Sequence, residues 1–270
     1  MRKRYLLKEI TSFIRIENGL FIGGISVSGF LIFNSMDMAI FPLFLAMFLG
    51  TGASYAYNYL KDKREDLVNK KRLNKFVTEN NKGNTIVISL YILGFISALC
   101  LSSLAIMTYL ALIGLSLVYS GKTRIKEKFL IKNFYTGLSI SFSFVVGALA
   151  LGNLCPSLLS YVFIVFILGF TANLLGDIRG LRGDETIGML TLPMMLDLHR
   201  TKGIIYSLLL FLLALIFLFG VPSLYPVVPF IIAAVFTLSK NRLRECRIFM
   251  LSSFTLLPVL LFMMDIIGGV

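Results

Sequence analysis

Residues 158–184 read LLSYVFIVFILGFTANLLGDIRGLRGD. From Leu158 to Leu175 the run carries no charge, close to the ~20 apolar residues with which a helix crosses the hydrocarbon core of a bilayer. It then passes directly into Asp177, Arg179, Arg182 and Asp184. Similar apolar stretches recur at 19–33, 38–60, 85–101, 104–119, 134–151, 203–218, 224–238 and 248–267, which with 158–175 makes nine. The composition agrees: 57% of the 270 residues are hydrophobic and only 15% are charged, well under the quarter typical of soluble domains. The fold class expected is an all-α membrane protein, a bundle of nine transmembrane helices forming one integral membrane domain over 1–270.

The 26 Lys and Arg against 14 Asp and Glu leave a formal charge of +12, and their placement is asymmetric. Basic residues gather in the N-terminal segment (Arg2, Lys3, Arg4, Lys8, Arg15) and in connections 61–82, 122–132, 179–202 and 240–247. Connections 34–37, 102–103, 152–157 and 220–223 hold no Lys or Arg. Because Lys and Arg collect on the cytoplasmic side, this predicts a multi-pass protein of the cell membrane with its N-terminus cytoplasmic and its C-terminus outside. The basic N-terminus has no clean small-residue cleavage site, so it is read as part of the mature protein rather than a signal peptide. A basic cytoplasmic face follows from topology and anionic membrane lipid, and nucleic acid is not implied. Cys100, Cys155 and Cys246 lack CxxC spacing and the single His199 leaves no multi-histidine metal site.

The same face carries carboxylates in a regular pattern. Asn58, Asp62 and Asp66 are spaced by four, which keeps them within an arc of about 80° on one helical face. Asp177 and Asp184, seven apart, share a face if the helix continues through Gly180 and Gly183. Hard oxygen donors without His or Cys suit Mg²⁺, which uses few protein ligands and completes its shell with phosphate and water. Arg64, Lys70, Lys71, Arg72, Lys122 and Lys126 lie alongside and supply the cations a diphosphate needs. Asp is too short to reach far along a membrane surface, so such sets line polar cavities.

These residues resemble the UbiA superfamily of intramembrane prenyltransferases. Asn58, Asp62 and Asp66 match its N-D-x-x-D-x-x-x-D motif, with Tyr59 in place of the second-position Asp. Asp177 and Asp184 match the outer acids of the second motif, with Gly180 where a middle Asp is common; Gly188 and Thr191-Leu192-Pro193 match its tail. Arg15 and Asn18 resemble the R-P-x-N of the first helix, and Tyr119-Ser120, Lys122, Lys126 and Asn133 resemble the fourth-to-fifth connection.

The resemblance implies a central cavity under cytoplasmic cap loops at 61–84, 120–133 and 177–203. It implies a Mg²⁺-dependent enzyme that transfers an isoprenyl chain from a prenyl diphosphate donor to a lipophilic or amphiphilic acceptor, an aromatic quinone precursor or a glycerol-phosphate lipid, and releases diphosphate. Asn58, Asp62, Asp66, Asp177 and Asp184 would bind metal, the four aspartates being catalytic. Arg72, Lys122 and Lys126 would contact the diphosphate, and Arg15, Asn18 and Tyr119 the substrate. Tyr119 and Tyr135 are candidates to shelter a carbocation. The alternatives are a cation-coupled secondary transporter, against which the acids' position at the cytoplasmic mouth argues, and a degenerate noncatalytic prenyl-diphosphate-binding protein lacking the acids at 59 and 180. The small-residue stretches GGISVSG (23–29) and GTG (50–52) predict close helix packing.

Overall fold

The computed structural model describes the backbone of residues 2–68, 73–121, 129–186 and 190–268, and the side chains of these except 2–5, 64–66, 68, 80, 182–184, 186 and 265–268. Among the described residues the chain is all helix, without strands. In order come α1 (Arg2–Ile14), α2 (Ile16–Phe33), α3 (Ile40–Val68), α4 (Lys75–Thr78), α5 (Asn80–Ala98), α6 (Ser103–Ser120) and α7 (Ile131–Ala148). They are followed by α8 (Leu158–Thr186), α9 (Leu192–Leu196), α10 (Leu198–Leu218), α11 (Val228–Ser239), α12 (Leu243–Thr255) and α13 (Leu257–Gly268), with a 3-10 turn Pro222–Val227 before α11. Side-chain caps start several of them. Ser102 accepts from the Ala105 N–H, Asn74 from Phe76 and Asp197 from Arg200, each satisfying a donor the helix start leaves unpaired.

Each of the nine apolar stretches falls mainly on helix. By length and composition, six helical segments among the described residues are fit to cross a membrane, or seven if α12 and α13, bent by 43°, form one broken span. The difference from nine lies in α5 and α7. The first turns of α5 are polar (Asn80, Asn81, Lys82), and α7 carries Lys132, Asn133, Thr136, Ser139, Ser141 and Ser143. Large apolar side chains face outward, Met107, Leu159 and Leu218 exposing 67%, 76% and 77% of their surface. That would be costly in water and is the expected state against lipid. The protein is a multi-pass membrane protein.

Two helices, α3 and α8, have 29 residues each, or roughly 43 Å at 1.5 Å per residue, against a hydrocarbon core of about 30 Å. Both helices are longer than that core, and Asp62 and Asp177 lie at the C-terminal ends of the stretches fit to cross it, Ile40–Lys63 and Leu158–Leu181. Gly180 and Gly183 do not break α8, which continues to Thr186; an interior glycine costs only about 1 kcal/mol, which tertiary packing overrides.

Glycines bring α2 against its neighbours. A Cβ on Gly147 of α7 would overlap the Ser26 carbonyl of α2, and one on Gly29 the Phe144 carbonyl of α7; Gly23 accommodates the Phe44 ring. The small-residue stretch 23–29 thus packs as its composition predicts. Backbone cannot rotate aside, so Gly147→Ala is expected to cost about 1–3 kcal/mol of stability. Gly114, whose Cβ would meet nothing within 4 Å, should tolerate alanine or gain up to about 1 kcal/mol in helix propensity. Thermal midpoints of the two variants in detergent, falling for the first and unchanged or rising for the second, check this.

Candidate active site

The acid-bearing end of α3 presents Tyr55, Asn58, Tyr59 and Asp62 at i, i+3, i+4 and i+7, the spacing of a single helical face. Asn58 is fixed from both sides. Its Nδ2 donates to Asp62 Oδ2 at 2.9 Å, and its Oδ1 accepts from Ser120 Oγ of α6 at 3.0 Å. The amide therefore orients the carboxylate from within α3 while tying α3 to α6.

On α8, Asp177 is only 5% exposed. Its Oδ1 lies 2.8 Å from Lys132 Nζ and its Oδ2 accepts from Asn133 Nδ2 at 3.0 Å. Consecutive residues at the start of α7 thus serve one carboxylate, and the pairing offsets the cost of burying its charge. Leu130, just before α7, adopts a left-handed conformation (φ 56°) that turns the chain into the helix.

The helices that support the two carboxylates, α6 and α7, meet through an aromatic stack. Tyr119 of α6 and Tyr135 of α7 are parallel, with centroids 3.9 Å apart and planes at 14°. Ser120, next to Tyr119, holds Asn58, and Asn133, two residues before Tyr135, holds Asp177, so the stack joins the two elements that support the acids.

Arg15 separates α1 from α2 in the left-handed region (φ 46°, ψ 65°). A non-glycine residue held there costs energy and needs surrounding support. The support is aromatic: Nε donates to Tyr59 Oη at 3.0 Å, and the guanidinium lies 4.8 Å from the Tyr59 and 5.2 Å from the Tyr55 ring centre. Tyr59, at the position of the expected acid, therefore anchors Arg15. Asn18 closes the same turn with its backbone N–H on the Arg15 carbonyl at 2.9 Å.

Of the residues singled out in the sequence, the structure gathers Asn58, Asp62, Asp177, Tyr119 and Arg15 around this region. The side chains of Asp66 and Asp184, and Arg72, Lys122, Lys126 and Gly188 altogether, lie outside the described residues. Thr191, Leu192 and Pro193 are buried where α9 packs on α8 and α10, a structural role. Lys132, Tyr55 and Arg247 belong to the region and were not singled out as site residues. Tyr55 had a signal, lying on the Asn58–Asp62 stripe; Lys132 and Arg247 had none beyond their charge, because only folding brings α7 and α12 to α8.

Among the described residues no three His, Cys, Asp or Glu side chains converge as a metal cage. Mg²⁺ does not require one, since it commonly takes one or two carboxylates and fills its octahedron with phosphate and water. Two hard carboxylates, each held by an asparagine on elements joined by the Tyr119–Tyr135 stack, fit that ion.

The comparisons agree on the fold. The family model described as the UbiA prenyltransferase family matches residues 21–261. No curated protein matches the chain in sequence. Among solved structures, the apo UbiA homolog from Aeropyrum pernix K1 is similar at TM-score 0.76, with 18% identity, covering 93% of this chain and 99% of that one. A UbiA homolog from Archaeoglobus fulgidus bound to GPP and Mg²⁺ is similar at TM-score 0.75, with 14% identity, covering 94% and 99%. A digeranylgeranylglyceryl phosphate synthase gives TM-score 0.69, with 17% identity, covering 96% and 99%.

Proposed function

The chain belongs to the UbiA prenyltransferase family, and from that premise we propose that it is a Mg²⁺-dependent intramembrane enzyme. It transfers an isoprenyl chain from a prenyl diphosphate to an aromatic quinone precursor or a glycerol-phosphate lipid, releasing diphosphate. Residues 1–270 act as one integral membrane domain of nine spans, α5 and α7 included, with the N-terminus and the cap segments cytoplasmic and the C-terminus outside. The observation that carries the reading is that Asp62 and Asp177 are each held by an asparagine, on elements that the Tyr119–Tyr135 stack joins. The A. fulgidus homolog, solved with GPP and Mg²⁺, supports the donor class.

An allylic diphosphate ionises because its cation is delocalised, and the barrier is dominated by charge gathering on the leaving diphosphate. When bound, Mg²⁺ would supply Lewis-acid neutralisation of that charge. Asp62 and Asp177, with Asn58, Asp66 and Asp184, would hold the metal, and Arg72, Lys122 and Lys126 would contact the diphosphate. Lys132 compensates the buried Asp177 and adds positive charge beside the leaving group. The tyrosine stack flanks the developing cation, attracting it through its ring faces and excluding water. Arg15 and Asn18 shape the cavity wall where α2 begins.

The test is product formation by purified protein in nanodiscs, with geranyl, farnesyl and geranylgeranyl diphosphates and a panel of aromatic and glycerol-phosphate acceptors. Prenylated product with Mg²⁺, and none after chelation by EDTA, is expected. Product formation unaffected by EDTA would overturn the metal role, and no product from any pair, with the donor bound, would favour the noncatalytic binding protein.

A further inference from the structure

Lys132 and Asn133 occupy the first turn of α7, which the left-handed Leu130 opens, and both serve Asp177. The two donors differ in kind. Asn133 is 1% exposed and its short amide is held close to the helix backbone, so it stays on Oδ2 at 3.0 Å. Lys132 reaches Oδ1 at 2.8 Å through a flexible four-carbon stem, and its ammonium brings a charge that the amide does not. At side-chain exposures of 13% and 6%, neither member of this ion pair is solvated well enough to stand alone.

This pairing sets a condition on metal binding. A divalent cation at Asp177 meets an ammonium that already neutralises the carboxylate, and in a poorly solvated site their repulsion is weakly screened. The ammonium can leave only when another anion receives it, because a buried charge stripped of its partner is costly. A diphosphate is such an anion, and lysine suits it as a mobile point charge with three donors.

We infer that Lys132 is an exchangeable counter-cation. It holds Asp177 until Mg²⁺ arrives together with a diphosphate, which on the transferase reading is that of the prenyl donor, and then moves its ammonium from the carboxylate to the diphosphate oxygens. Lys132 is thus a positioning residue for Asp177 first and a diphosphate contact second. Metal without diphosphate strands the ammonium, and diphosphate without metal finds it already paired. The two ligands therefore bind as a unit, each raising the other's affinity by about tenfold or more.

Thermal midpoints of the full-length protein in nanodiscs test this without turnover, with Mg²⁺ alone, inorganic pyrophosphate alone and both together. The proteins compared are wild type, Lys132→Gln, Lys132→Arg and Lys132→Met/Asp177→Leu. Wild type should rise only with both ligands. Lys132→Gln should melt below wild type without metal and regain its midpoint with Mg²⁺ alone, because the metal takes the place of the missing ammonium. Calorimetry should show this variant binding Mg²⁺ alone about tenfold or more tighter than wild type, with a correspondingly smaller gain from pyrophosphate. Lys132→Arg keeps a cation and the double variant lacks the carboxylate, so neither should respond to Mg²⁺ alone. Should Lys132→Gln fold only when Mg²⁺ is supplied, that is the same result. A lysine that merely stabilises the fold leaves the glutamine variant unrepaired, or unfolded, in Mg²⁺; one that merely contacts diphosphate leaves Mg²⁺-alone binding as in wild type. Either outcome overturns the inference, as does a wild type unresponsive to Mg²⁺ with pyrophosphate. Absence of prenylated product while these responses hold would strike the transferase reading alone.

Discussion

Replacing Asp62 with alanine is expected to lower prenyl transfer by about a hundred- to a thousandfold, the usual cost of removing one group that stabilises transition-state charge, with the bundle still folded. The separation of the two effects comes from where Asp62 sits. It is half-buried at the C-terminal end of the membrane-crossing stretch of α3, and its carboxylate is oriented by Asn58 at 2.9 Å. Its carboxylate is half-buried and accepts from Asn58, so the stability change should be about 1 kcal/mol, that of a single hydrogen bond. Asp62→Asn keeps the shape and removes the charge, and it should lose activity to the same degree. Steady-state rates with saturating donor, beside thermal midpoints, check both. Transfer within a fewfold of wild type would remove Asp62 from the chemistry.

Asp177→Ala is expected to lose transfer at least as severely, but with a second effect. The ammonium of Lys132, 13% exposed, sits 2.8 Å from a carboxylate only 6% exposed at the side chain. Removing one partner of a buried pair costs about 3–5 kcal/mol, whereas removing both and filling the space with apolar groups is often close to neutral. Hence Asp177→Ala should fall in thermal midpoint, by about 2–4 °C per kcal/mol for a chain of this size, and Lys132→Met/Asp177→Leu should recover much of that midpoint without recovering transfer. Recovery of both would show Asp177 to be structural; recovery of neither would place the loss in packing rather than charge.

How far this was legible in the sequence follows from which interactions are local. The carboxylate stripe on α3 was readable because helical spacing alone puts Asn58 and Asp62 on one face, and the Asn58–Asp62 hydrogen bond is an i,i+4 contact. The apolar stretches located the helices because hydrocarbon thickness sets a length that a linear scan detects. The continuity of α8 was not readable: Gly180 and Gly183 weaken a helix locally, and packing against α7, α10 and α12 decides the outcome. Nor could the spacing show Lys132 and Asn133 meeting Asp177 more than forty residues away, or Arg15 entering a left-handed turn, since both depend on tertiary contacts. The substitution at Tyr59 reads as a lost acid in the sequence and becomes, in the fold, the phenol that receives Arg15. The polar residues of α7 that weaken its membrane signature include the two that hold Asp177.

Proposed transfer depends on joint binding of a metal–diphosphate by the acids of α3 and α8. The measurement is the thermal midpoint of the nanodisc protein with geranyl diphosphate, with and without Mg²⁺, for wild type, Asp62→Ala and Asp177→Ala. A ligand that binds only the native state at a hundred times its Kd stabilises by about 2.7 kcal/mol, so wild type should rise by several degrees only when donor and Mg²⁺ are both present, and each variant should lose that rise. A full Mg²⁺-dependent rise retained in both variants would contradict the account.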